Sequence, residues 1–227
     1  MAPKKISFGV LFLPSYQALD AVGPIDLITI GSSTFAGQFG SDEIRSLAPE
    51  ITWHYISSSY PSVMKASSGP GTVPTTSLAD CPKLDYLLLP GAPPETTHLT
   101  KEEIEFLVQK ADEVDALLTV CTGSLILSQT GLLKGVKACT NKGSLGSLAA
   151  KGKVPKEVIW MRDRRWVVDG KYWSSSGITA GMDLAVQWIR RVVGEEMWQW
   201  VTETAEYSPI EMGGDKFAYM LTDVKLT

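Results

Sequence analysis

Cys121 is the residue of this 227-residue chain best placed to do covalent chemistry. The apolar run Leu117-Leu118-Thr119-Val120 ends in Cys121, and Thr122, Gly123 and Ser124 separate it from a helical pattern running from Leu125 to Leu133. Strand, sharp turn and helix is the layout of a nucleophile elbow, which lifts one side chain out of the backbone at the carboxyl end of a sheet. The free N–H groups and dipole of the following helix favour thiolate over thiol, so the spacing predicts a sulfur nucleophilic at neutral pH. The same residues also fit a small apolar side chain closing a buried strand, because free cysteine is among the most buried residue types. Cys81 and Cys139 have neither paired nor metal-like spacing and read as structural. Ser175, Ser176 and Thr179 carry hydroxyls that can reach a ligand or cap the long helix after them. Trp160, Trp166 and Trp173 can wall an apolar pocket or fill the core.

These residues must be held by a frame, and the frame is readable. Ile6 to Leu13 is a strand-like run closed by Pro14, and Leu19 to Ile30 has helical spacing with Pro24 placed in its first turn. Ile51 to Ser57 reads as a strand, and Gly69-Pro70-Gly71 opens a hairpin with Val63 and Val73 on its arms. Tyr86-Leu87-Leu88-Leu89, ended by Pro90-Gly91, has the continuous apolar character of a strand buried on both faces. Thr100 and Glu103 form a capping box for a helix to about Asp112, and Ala116 to Val120 is the next buried strand. Val136 to Cys139 is short and strand-like. Trp166 to Val168 and Lys171 to Trp173 flank the favoured turn pair Asp169-Gly170. Helices are expected over Thr179 to Val193 and Glu195 to Glu203. Alternating strands and helices imply an α/β fold, with a largely parallel sheet covered on both faces and ligands bound beyond the strands' carboxyl ends. The length suits one domain over residues 1–227.

Bulk composition excludes several classes. A net charge of -4 argues against a nucleic-acid partner, which needs a concentrated basic surface. The cluster Arg162-Asp163-Arg164-Arg165 contains an acid and reads as a solvated turn. No stretch is long and apolar enough to span a membrane, and Met1-Ala2-Pro3-Lys4-Lys5 is not followed by a cleavable apolar region. Three widely spaced cysteines fit a reducing compartment, so a cytoplasmic location is the expectation. No Gly-rich phosphate loop or metal-ligand cluster is present in the sequence, and no cofactor is implied.

Several segments together resemble the ThiJ/PfpI superfamily. They are Leu19-Asp20-Ala21-Val22-Gly23-Pro24, Asp80-Cys81-Pro82 through Leu89-Pro90-Gly91, Val120-Cys121-Thr122-Gly123, Gly131 to Gly135, and Ser176-Gly177-Ile178-Thr179-Ala180-Gly181-Met182-Asp183. The likeness runs in order over roughly residues 5 to 200 and is nearest to isocyanide hydratase-like proteins of fungal type. It implies a flavodoxin-like three-layer sandwich, a homodimer, and Cys121 as covalent nucleophile. It sets Asp20 beside the sulfur as acid–base partner, although Asp20 can equally cap the helix after it. It implies an oxyanion site from backbone N–H groups at Thr122 and in the Gly91-Ala92 loop; Asn141, Gly177, Ile178 and Thr179 are expected near the substrate, and of the tryptophans Trp173 is the one expected to wall the pocket.

Two departures from that pattern matter. Ala92 stands where a second glycine is often found, and its Cβ restricts the backbone if the position needs positive φ. Asn141 stands where many relatives carry a histidine, and an amide does not transfer protons at neutral pH. With only His54 and His98 in the chain, both read as structural or exposed, a Cys–His pair is not expected. The implied function is cofactor-free attack of Cys121 on a small electrophile, most specifically hydration of an isocyanide to an N-formamide. Alternatives are condensation, conjugate addition or cyclisation of an unsaturated or carbonyl intermediate in fungal specialised metabolism, glyoxalase-like hydration of 2-oxoaldehydes, and a redox-sensing or chaperone-like dimer without turnover.

Overall fold

The strands are apolar on both sides because helices cover both sides. A computed structural model describes residues 3–226. Its central sheet contains β1 (Lys5–Leu11), β2 (Glu50–Ile56), β3 (Tyr86–Leu89), β4 (Ala116–Thr119), β7 (Trp166–Asp169) and β8 (Tyr172–Ser175), in the order β2-β1-β3-β4-β8-β7. All neighbours are parallel except β7 and β8, which form the antiparallel edge hairpin around Asp169-Gly170. Alternation along the buried strands divides the core. Phe8, Val10, Tyr86, Leu88 and Leu118 face one layer, and Leu11, Leu87, Leu89 and Leu117 face the other.

The first layer holds α1 (Ala18–Ile30), α2 (Ser33–Phe39), α3 (Asp42–Leu47), α7 (Ala180–Val192) and α8 (Glu195–Thr204). Its centre is aromatic: Trp188 of α7 lies edge-on to Phe8 and Tyr86, with ring centroids 5.4 and 5.0 Å apart. The second layer holds α4 (Lys101–Glu113), α5 (Gly123–Leu127) and α6 (Lys142–Ala150). It also takes in β5 (Lys137–Ala138) and β6 (Ile159–Trp160), a separate parallel pair outside the main sheet. The expected flavodoxin-like three-layer sandwich is what forms, with the switch in strand order between β1 and β3.

Several elements differ from the sequence expectation. Pro24 falls in the second turn of α1, where it offers no N–H to the carbonyl of Asp20 four residues earlier. The helix after Cys121 is only five residues long and passes into a 3-10 turn, Ser128–Thr130. The Ser128 and Thr130 hydroxyls donate to the carbonyls of Leu125 (2.6 Å) and Leu127 (2.7 Å), and so compete with the helical ladder. The Gly69–Gly71 hairpin is reduced to one antiparallel bridge between Met64 and Thr72. The short helices α2, α3 and α6 have no strong periodic signal, and α6 carries two glycines.

Candidate active site

The carboxyl ends of β1, β3 and β4 meet at Cys121. The elbow forms as expected: Cys121 has φ +57, a left-handed conformation that costs a non-glycine residue about 1–3 kcal/mol. Hydrogen bonds hold it there. Its N–H donates to the Ser176 carbonyl (3.1 Å), and its carbonyl accepts from the hydroxyls of Thr140 (2.9 Å) and Ser124 (3.4 Å). The turn passes so close to β3 that a Cβ on Gly123 would lie 2.3 Å from the Leu89 carbonyl oxygen. The cysteine itself is 7% exposed.

Asp20 sits in the first turn of α1 but does not cap it. The capping position is Gln17, and the Asp20 carboxyl turns inward, fully buried. Its Oδ2 accepts the Gly91 N–H at 3.0 Å, the Cys121 thiol lies near enough to favour the charged carboxylate, and Oδ1 has no partner among the described residues. The approach requires glycine at position 91. A Cβ there would lie 2.6 Å from Thr122 Oγ1 and 2.7 Å from Asp20 Oδ2.

Burial dominates the electrostatics of the pair. It pushes Asp20 up to about 7, against the lowering effect of the Gly91 N–H and the Cys121 thiol. Cys121 is pushed up to about 11, by burial first and then by the Asp20 charge, while the N–H groups of Ile178 and Thr122 and the Thr122 hydroxyl work in the other direction. The expected thiolate is thus corrected. A five-residue helix has little dipole, and desolvation outweighs it. At neutral pH the thiol keeps its proton while Asp20 is about half ionised, so the carboxyl is poised to take or give a proton beside the sulfur.

The expected oxyanion donors are only partly available. The Gly91 N–H is engaged by Asp20, and the Thr122 hydroxyl donates to the Ala92 carbonyl at 2.7 Å instead of facing open space. Ala92 is buried without a positive φ, so its Cβ is tolerated. The backbone N–H groups facing the sulfur are those of Thr122 and Ile178.

A cavity of about 360 Å³ opens beside Ser176–Thr179, the segment that carries the Ile178 N–H. Asn141, Gly177, Ile178 and Thr179 line it, while Cys121 and Asp20 lie behind that segment and are not part of its wall. Asn141 caps α6, accepting the Ser144 N–H at 2.9 Å, and its amide packs on Gly177. The Thr179 hydroxyl accepts from Arg165 at 2.8 Å and makes no capping bond. Trp173 does not reach the cavity. It lies in the core on β8 with Arg191 over its ring at 5.3 Å, because β8 is an interior strand. His54 lies on β2 and His98 in the loop before α4, and neither lines the cavity.

The basic cluster at 162–165 is not simply a solvated turn. Arg165 is buried, and its Nε donates to Asp183 Oδ2 at 2.8 Å; Asp183 Oδ1 accepts the Ile210 N–H (2.8 Å) and the Tyr207 hydroxyl. Lys142, also buried, pairs with Asp215 at 2.5 Å. Arg165, Lys142 and Asp215 all line the cavity, and nothing in their local sequence announces it. Among the described residues no helix is long and apolar enough to cross a membrane, and no group of three His, Cys, Asp or Glu is arranged to hold a metal ion.

Isonitrile hydratase of Pseudomonas putida is 30% identical over 205 residues, which is 90% of this chain and 79% of that protein. An HTH-type transcriptional regulator of Pseudomonas aeruginosa is 26% identical over 204 residues, and the chain spans about half of it (51%) while 90% of the chain is covered. A solved ThiJ/PfpI family protein from Pseudomonas syringae shares the fold, with a TM-score of 0.69 at 23% identity over 92% of this chain and 78% of that one. Residues 39–191 match the DJ-1/PfpI family, and with the hydratase likeness extending across most of its length, the chain belongs to that family.

Proposed function

We propose that this protein hydrates a small isocyanide to the corresponding N-formamide, with Cys121 as nucleophile and Asp20 as proton carrier. The observation that carries the proposal is the buried Asp20–Cys121 pair: a carboxyl balanced near neutrality lies beside a protonated thiol and keeps one oxygen unpartnered. The likeness to isonitrile hydratase supports the choice of substrate. The terminal isocyanide carbon accepts the sulfur and then needs a proton itself. As Cys121 attacks that carbon, its proton passes to Asp20, and Asp20 returns it to the carbon, leaving a thioimidate, R–N=CH–S–Cys121. Water adds to the same carbon and the nitrogen takes a proton. Asp20 takes the hydroxyl proton of that adduct as its C=O forms and passes it to the departing sulfur, and R–NH–CHO is released. One water is consumed and nothing is oxidised or reduced. The Thr122 and Ile178 N–H groups stabilise the charge that develops on sulfur when it leaves.

The proposal includes one domain over residues 1–227 acting as a homodimer, which sedimentation of the purified chain checks. The test of the chemistry is p-nitrophenyl isocyanide followed by absorbance, with mass spectrometry of the protein and Cys121→Ala as control. Formamide from the wild type alone, with a trapped adduct on Cys121, is the expected result; equal turnover by the alanine variant refutes it. A second reading, ligand sensing without turnover, draws on the likeness to the transcriptional regulator. Saturable isocyanide binding with no formamide favours it. Redox sensing asks for a low-pKa thiol, and burial drives Cys121 the other way.

A further inference from the structure

The last part of the chain, which carried no motif, closes the cavity. After α8 it runs back across the molecule, with the Met212 carbonyl accepting the Arg165 N–H at 2.8 Å and the Asp215 N–H donating to the Asp163 carbonyl at 3.1 Å. Residues 215–221 then form a strap fixed at both ends. At one end Asp215 is buried, its Oδ2 on Lys142 and its Oδ1 accepting the Phe217 N–H at 3.1 Å. At the other, Leu221 is buried against α6, and its carbonyl accepts from Arg162 at 2.8 Å. Between the two anchors Phe217 and Met220 face the cavity, with Met220 lying over Gly143 of α6.

We infer that this strap selects the substrate, and that Phe217 and Met220 form the wall against which a neutral, apolar body of the isocyanide, aryl above all, is held. The inference rests on the isocyanide hydratase reading for the reacting group and adds the class of the R group. Charge balance supports it. The three Lys142 donors are taken by Asp215, the Ser176 hydroxyl and the Arg164 carbonyl, and Arg165 is matched by Asp183. Two cations face two carboxylates, so an anionic R group finds no lysine donor free to receive it. Size supports it as well: about 150 Å³ suffices for benzene, and about 360 Å³ accommodates a substituted ring with its isocyanide directed at Ile178. Phe217 is 39% exposed, so it has apolar surface left to cover.

The test uses the full chain with Phe217→Ala, Met220→Ala and, as the conservative control, Phe217→Leu. For p-nitrophenyl isocyanide, kcat/KM falls about tenfold in Phe217→Ala, mostly through KM, whereas methyl isocyanide changes less than threefold and Phe217→Leu recovers most of the loss. Titration calorimetry with two formamides gives a readout independent of turnover. N-phenylformamide binds wild type and loses about tenfold in Phe217→Ala, while N-formylglycine, an anion, binds wild type at least tenfold more weakly than N-phenylformamide. Parallel losses on aryl and methyl isocyanide, an unchanged affinity for N-phenylformamide in the variants, no binding of it to wild type, or equal binding of the anion overturns the assignment. If wild type turns over neither isocyanide, the hydratase reading fails, and the calorimetry still decides the strap.

Discussion

Asp20→Asn should move the reactivity of Cys121 and the turnover of substrate in opposite directions. The amide is nearly isosteric, and its oxygen can still accept the Gly91 N–H now bound to Oδ2. It carries no titratable proton. Without a proton carrier at the sulfur, kcat for isocyanide hydration should fall by about 10²–10⁴-fold, the usual contribution of a positioned acid–base group. The thiol should respond in the contrary sense. With Cys121 at about 11 instead of the ordinary 9.0, about one thiol in a thousand is ionised at pH 8 instead of about one in ten. Burial is the larger cause and remains in the variant, but the Asp20 charge disappears. Part of that hundredfold should return, so iodoacetamide should alkylate Cys121 about 3- to 30-fold faster at pH 8 than in wild type. The assay is alkylation followed by intact mass, beside formamide production on the same preparations. Slower alkylation in the variant, or turnover within threefold of wild type, would refute the shared-proton account of this pair.

The same carboxyl links stability to pH. Its folded value of about 7 lies above the ordinary 3.8, so the native state holds the proton more tightly and the resulting stability is lost as pH rises from about 4 to about 7. Urea denaturation should therefore show Asp20→Asn gaining on wild type across that window, by about 4 kcal/mol at most at pH 8, with no further change above it; a gap independent of pH refutes this. Gly91→Ala forces a Cβ to within 2.7 Å of both Thr122 Oγ1 and Asp20 Oδ2, so it should displace the carboxyl and lower kcat/KM by about 10²-fold with unchanged circular dichroism. Full activity in that variant means the Asp20 position is not critical. Arg165→Met leaves Asp183 buried without its cation and should cost about 3–5 kcal/mol, or about 6–20 °C in Tm, with partial recovery on adding Asp183→Asn; a loss below about 1 kcal/mol would show that the pair is dispensable.

Much of the frame was legible because the relevant forces act over a few residues. Tyr86–Leu89 was recognisable from its continuous apolar run, α4 from its Thr100–Glu103 capping box, and the β7–β8 hairpin from Asp169-Gly170. The elbow at Cys121 was legible for the same reason, since a strand end, a small-residue turn and an apolar helix face leave a local pattern. Asp20, Asn141, Gly177, Ile178 and Thr179 were placed near Cys121 only through the resemblance to the ThiJ/PfpI superfamily, because nothing in their local pattern brings them to it. Weakly periodic segments such as α2 and α6 left no such trace, and the hydroxyls of Ser128 and Thr130 shortened a helix that apolar spacing alone extends to Leu133.

What the chain determined by itself was therefore its strand–helix alternation and the elbow that presents Cys121. Only the tertiary structure decided the state of that cysteine and of the residues around it. Local reasoning places a helix N-terminus beside the sulfur and expects a thiolate, but the thiol is buried next to a carboxyl and keeps its proton. It sees a run of charges at 162–165, whereas Arg165 is buried on Asp183, and it sees nothing at Lys142, whose partner Asp215 is 73 residues away. It offers Trp173 to the pocket, and β8 carries that ring into the core. Periodicity and turn chemistry depend on neighbours in sequence; desolvation and charge pairing depend on which groups the finished fold buries together.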